Sequence, residues 1–155
     1  MNLRFFSFGL PALSSMQQGI QAAHCVTKLG RKYAGPGEDA GCVQMVKQWA
    51  DVDQTIILLN AGSYKNMNDI LAVIERTGLP YATFEESVEY LNGLRTCVGV
   101  VMPENMWAAE KPVDRVVYEY CERDANGMYV RDFEYEPGSA IYDLLYMKSL
   151  CPLAK

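Results

Sequence analysis

With 155 residues, half of them apolar and 21% charged, the chain is long enough for one full core and short for two. A formal net charge of −5 disfavours broad, non-specific nucleic-acid binding, which needs Lys and Arg to neutralise phosphates, but it leaves room for a local basic patch. No apolar run reaches the ~18–20 residues of a membrane helix and the apolar start is too short for a secretory signal, while five scattered cysteines without a CxxC fit free thiols in a reducing, cytoplasmic setting.

Residues 2–9 form a buried first strand that Gly9 and Pro11 end. Ser14 or Ser15 then caps a helix, because Met16, Ile20, Ala23, Val26 and Leu29 recur at helical spacing over residues 15–33. After the loop at 35–39, residues 41–50 read as a second helix with Val43, Val46 and Trp49 on one side. Residues 54–60 are a continuous β-rich run, which suits a strand covered on both faces. Residues 64–77 are helical, with Met67, Ile70, Leu71 and Ile74 inward and Gly78 as C-cap. Strands follow at 80–84 and 94–101. Residues 114–122 and 128–134 read as two strands around the turn Asp124-Ala125-Asn126-Gly127. A last helix covers 140–150, with Ile141, Leu144, Leu145 and Leu150 apolar. Alternating strands and helices predict a single α/β domain, sandwiched around one sheet.

Four groups of residues are candidates for chemistry. Gln17, Gln21, His24, Lys28 and Arg31 fall on one face of the first helix. A lone helix histidine is most often a surface group; as a functional one, His24 would act as a base or hold substrate. Thr96 and Cys97 open a strand, where a threonine is normally a β-former and a buried cysteine normally a core thiol. Glu85 and Glu86 form either a solvated turn or a water-orienting pair. Lys28, Arg31, Lys32, Lys47, Lys65, Arg76 and Arg95 solvate a surface unless several converge on an RNA backbone. There is no GxGxxG or P-loop to cradle a nucleotide phosphate. His24 is the only histidine, which disfavours zinc. The acids gather late in the chain, at Asp114, Glu119, Glu122, Asp124, Asp132, Glu134 and Glu136.

The order of several short motifs resembles the type 2 peptidyl-tRNA hydrolases, the archaeal and eukaryotic kind. Leu13-Ser14-Ser15-Met16-Gln17-Gln18-Gly19-Ile20-Gln21-Ala22-Ala23-His24-Cys25 resembles that family's helix-opening motif, which ends in Gln-x-x-His. Trp49 leading into Gln54-Thr55-Ile56-Ile57-Leu58-Leu59 is similar to its next strand. Ile74-Glu75-Arg76-Thr77-Gly78-Leu79-Pro80 resembles the helix end before its third strand, and Gly93-Leu94-Arg95-Thr96-Cys97-Val98-Gly99-Val100 its closing strand with a threonine. The resemblance covers roughly residues 2–108, leaving 109–155 as a C-terminal extension of the same domain.

The expected fold is a three-layer α/β/α sandwich around a mixed, about four-stranded sheet, plus a C-terminal β-hairpin and helix. The resemblance implies hydrolysis of the ester between a peptide and tRNA, with no cofactor and no metal. It implies His24, Thr96, Glu86 and Gln17 around the ester and Lys28, Arg31, Lys32 and Arg95 along the RNA. His24 and Thr96 match the family. Its acidic residue falls at Glu85 or Glu86. Gln17 stands where the family carries a lysine, and a neutral amide cannot supply a cation to a developing oxyanion. The alternative is a catalytically lapsed binding module on the same fold, for RNA, a nucleotide or a protein. Residues 109–155 could cover a sheet edge, mediate a homodimer or obstruct tRNA. Tyr118, Tyr120, Tyr129 and Tyr135 read as cross-strand packing or as an interface.

Overall fold

The computed structural model describes residues 2–108, 116–123, 129–135 and 139–154. Strands β1 (Leu3–Gly9), β2 (Thr55–Asn60), β3 (Tyr81–Glu85) and β4 (Arg95–Pro103) form one sheet in the order β2-β1-β4-β3. β1 runs parallel to β2 and antiparallel to β4, and β3 runs antiparallel to β4. The sheet is therefore mixed, with β1 and β4 at its centre and β2 and β3 at its edges. The central strands have the more apolar sequences: Phe5, Phe8, Val98, Val100 and Val101 are fully buried.

The helices are α1 (Ser15–Ala34), α2 (Ala40–Gln48), α3 (Tyr64–Thr77), α4 (Val88–Leu91), α5 (Glu104–Trp107) and α6 (Ala140–Ser149). Successive side chains of β1 show which layer each occupies, since they point to opposite faces. Phe5 meets Trp49 at the end of α2, with ring centroids 5.4 Å apart. On the same face, the Cys25 thiol of α1 donates to the carbonyl of Ala82. Phe6 points the other way, under the Lys148 ammonium of α6, and α6 is tied to α3 by an ion pair between Asp143 and Arg76. α1 and α2 thus cover one face and α3 and α6 the other, which makes the sandwich three-layered.

Local chemistry sets the helix ends. Ser14 and Gln17 form a reciprocal capping box at the start of α1. Asp39 caps α2 and Ser63 caps α3. α3 stops at Gly78, which takes the left-handed conformation with φ 72°. After α2, Trp49–Asp53 forms one π-helical turn, closed by the Gln54 N–H on the Trp49 carbonyl.

Four expectations change. α1 buries Gln18, Ala22, Cys25, Leu29 and Tyr33, so of its expected apolar face Met16, Ile20 and Ala23 are exposed and only Leu29 is buried. β2, read as covered on both faces, is an edge strand with Thr55 and Ile56 exposed. Its outer side is partly taken by the C-terminal residues, through Asn60 N–H to the Pro152 carbonyl and Ala154 N–H to the Leu58 carbonyl. Leu150 is 62% exposed, because α6 ends at Ser149 and leaves it on the cap. α4, α5 and the π turn were not expected; segments of four or five residues are too short to show a helical period. β5 (Val116–Arg123) and β6 (Tyr129–Tyr135) pair antiparallel in a second, two-stranded sheet. The turn expected at 124–127, the side chain of Cys121 and those of the four expected tyrosines lie outside the described residues. Among the described residues no helix is long and apolar enough to cross a membrane.

Candidate active site and anion cleft

α1 brings Gln17, Gln21, His24, Lys28 and Arg31 to one side, as its 3.6-residue period requires. The side chains then diverge. Gln17 folds back on the helix start, its Oε1 accepting the Ser14 N–H at 2.9 Å. That leaves its Nε2 as the only polar group it can offer a ligand. His24 is exposed and lies flat on Phe84 of β3, with centroids 4.6 Å apart and planes 14° apart. It makes no hydrogen bond among the described residues. Lys28, one turn on, reaches over the same Phe84 ring at 5.2 Å.

Strand alternation sends the two glutamates to opposite sides, and the slip in β3–β4 register between Phe84 and Glu85 decides that Glu85 shares the side of Phe84. Phe84 pairs with Cys97, but Glu85 pairs with Arg95, so Thr96 sits opposite the irregularity. Glu85 Oε2 accepts from Lys28 Nζ at 3.1 Å and Oε1 from Arg95 Nε at 3.0 Å. Arg95 also donates to Asn68 Oδ1 of α3 at 2.7 Å. Burial pushes the Glu85 carboxyl up, but hydrogen bonds from Thr83, Lys28 and Arg95 outweigh it and hold the group below the ordinary glutamate value. Glu86 is fixed separately. Its N–H bonds the Leu94 carbonyl at 2.9 Å, and its Oε1 accepts a long 3.4 Å bond from the Thr96 hydroxyl.

Thr96 is fully buried. Strand alternation also turns it away from Cys97 and hence from the α1 face that carries His24. The structure therefore joins Thr96 to Glu86 and does not bring Thr96 beside His24.

The four expected RNA contacts do converge. Lys28, Arg31, Lys32 and Arg95 line a cleft of about 440 Å³, together with Leu71, Glu75 and residues 81–83. It runs along the outer side of β3, between α1 and α3. Lys32 reaches the Tyr81 carbonyl at 3.4 Å and stands 3.9 Å over its ring, while Arg31 has no ion-pair partner among the described residues. The other cations lie elsewhere: Lys65 pairs with Asp69 and Arg76 with Asp143.

The thiols are structural. The Cys97 sulfur lies 3.1 Å from the Ser7 hydroxyl, and both residues are buried. The Cys25 thiol is pushed strongly up, first by its hydrogen bond with Cys97 and then by burial. Burial also raises Cys42 and Cys151 to about 11. A nucleophilic thiolate is thus disfavoured at these three positions. Among the described residues no group of three or more His, Cys, Asp or Glu side chains is placed to hold a metal ion.

Sequence reasoning missed Phe84, Tyr81 and Asn68. Phe84 stands directly before the paired glutamates, which was its only signal; Asn68 had none. A family model, Peptidyl-tRNA hydrolase PTH2, matches residues 13–115. The chain belongs to that family. The match covers about two-thirds of its length and takes in α1, the whole of β2 to β4 and the cleft. The chain matches no curated protein. The peptidyl-tRNA hydrolase match ends before β5, so the second sheet and α6 lie outside it.

Proposed function

We propose that the protein hydrolyses the ester joining a peptide to the terminal ribose of tRNA. The observation that carries this reading is the cleft, in which four cations from α1 and β4 converge in a chain whose net charge is −5. A basic groove on an acidic protein is a local feature suited to phosphates. Lys28, Arg31 and Lys32 follow His24 on α1 over roughly 12 Å of helix axis, at ~1.5 Å per residue. The acceptor stem lies along them, with its 3′ end at His24.

Chemically, a water attacks the ester carbonyl, its proton passes to a base, and the peptide acid and the ribose hydroxyl separate. His24, exposed and oriented by Phe84, takes the proton from water. Glu86, steadied by Thr96, orients the water or a ribose hydroxyl. Gln17 Nε2 is the donor available to the carbonyl oxygen, and a neutral amide is a weaker aid there than a cation. Thr96 is fully buried, so it acts through Glu86 and does not touch the ester.

The test is release of N-acetyl-amino acid from N-acetyl-aminoacyl-tRNA by the purified protein. Turnover is expected to fall ~10²-fold or more in His24→Ala and clearly in Glu86→Gln and Thr96→Ala, while Gln17→Lys is expected to be faster. A second reading, a tRNA-binding protein that has lost catalysis, is favoured by the Gln17 side chain being engaged in the helix cap. Salt-dependent tRNA binding without turnover, in both the wild type and Gln17→Lys, would decide for it.

A further inference from the structure

Glu85 is placed unlike a residue that serves the ester. One of its oxygens faces Lys28 Nζ at 3.1 Å and the other faces Arg95 Nε at 3.0 Å. The two cations come from α1 and β4, and both line the cleft. Arg95 is braced from a third side by Asn68 at 2.7 Å. A two-oxygen anion bridging a lysine and an arginine has the contact pattern of the two non-bridging oxygens of a phosphodiester. The neighbouring Glu86 is directed to Thr96 instead, so Glu85 is not needed to hold it.

From this arrangement we propose that Lys28 and Arg95 form a phosphate subsite that Glu85 occupies in the free protein, so that Glu85 is an internal competitor setting the threshold for anion binding in the cleft. The proposal rests on the reading of the cleft as a phosphate-backbone site and adds the residue that governs its selectivity. The Lys28 and Glu85 side chains are 47% and 34% exposed, so the bridge is partly solvated and can exchange. A single free phosphate must displace the carboxylate unaided. A phosphodiester chain also engages Arg31 and Lys32, and those added contacts offset the displacement. The cleft thus favours a run of phosphates over isolated anions.

The experiment compares wild type, Glu85→Gln and Glu85→Asp for binding of a short RNA duplex and of inorganic tripolyphosphate across a salt series, with thermal unfolding confirming that each variant is folded. Glu85→Gln keeps the shape and removes the charge. It is expected to bind both polyanions roughly three- to tenfold more tightly, with a salt slope steeper by about one. Glu85→Asp is expected to stay near wild type. Weaker binding or a shallower slope in Glu85→Gln would mean that Glu85 positions the two cations, and would overturn the proposal, as would failure of both polyanions to bind that variant. Tripolyphosphate binding that tightens in Glu85→Gln, with no RNA binding by either protein, would uphold the subsite and remove the tRNA reading. Carbon NMR of the wild type gives an answer that needs no variant. Saturation with tripolyphosphate is expected to raise the pH at which the Glu85 carboxyl titrates, since its cations are taken from it; an unchanged titration would also overturn the proposal.

Discussion

The Glu85 carboxylate is stabilised in its charged form by Thr83, Lys28 and Arg95, which outweigh the effect of burial and keep it below the ordinary value of 4.5. The unfolded chain then takes up this proton more readily than the folded one. Its contribution to stability is complete above about pH 4.5 and is lost as pH falls through the lower, folded value. Denaturant midpoints of wild type and Glu85→Gln are expected to differ at neutral pH and to converge as the pH falls below the ordinary glutamate range; parallel curves would show that the carboxylate is not held in this way. At Gly99 of β4, a Cβ would fall inside the Phe5 ring. Since Phe5 is fully buried and packed on Trp49, it cannot give way cheaply. Gly99→Ala is expected to lower unfolding free energy by about 1–3 kcal/mol in chemical denaturation. The buried Cys25 and Cys97 are expected to resist alkylation in the native protein and to react only after unfolding. Fast labelling of either would mean that α1 lifts from the sheet.

At the scale of elements, α1 carries most of the candidate chemistry, and its first turn is fixed by the Ser14–Gln17 box. Ser14→Ala is expected to cost about 1 kcal/mol in stability. It removes only the acceptor of the Gln17 backbone N–H, and the bond from the Ser14 N–H to Gln17 Oε1 remains. β3 is the other critical element. It is short, lies at the edge of the sheet, and is closed at its start by α1, where the Tyr81 N–H bonds the Tyr33 hydroxyl and Lys32 reaches the Tyr81 carbonyl. The slip after Phe84 then decides which of the two glutamates meets the cations. At the end of α3, Gly78 holds φ 72°, and Gly78→Ala is expected to cost about 1 kcal/mol by forcing a Cβ into the left-handed region.

At the scale of the molecule, charge is divided between a basic cleft and an acidic whole. Affinity for tRNA is expected to fall steeply with salt, and Arg31→Ala and Lys32→Ala should each make the slope shallower by about one. Arg76→Ala, whose guanidinium pairs with Asp143 away from the cleft, should leave the slope unchanged. Equal slopes in all three variants would place the RNA elsewhere.

The elements of the four-stranded core were legible from apolar patterning and because Ser14 and Gly78 mark helix ends by their own chemistry, although the buried face of α1 was not the one its apolar repeat suggested. The cations of the cleft were legible as candidates, since Lys28, Arg31 and Lys32 share a helix face. That Arg95 joins them, and that Lys65 and Arg76 do not, depends on the sheet placing β4 beside α1. Which of Glu85 and Glu86 meets the cations could not be read. It follows from a register slip between two strands distant in sequence, and the sequence marks neither the slip nor the partners waiting on each side. Local periodicity and capping thus determined the elements, because those forces act between near neighbours in the chain. Which polar groups meet, which hydroxyl is buried and which carboxylate sits between two cations were decided only by packing, where contacts join residues tens of positions apart.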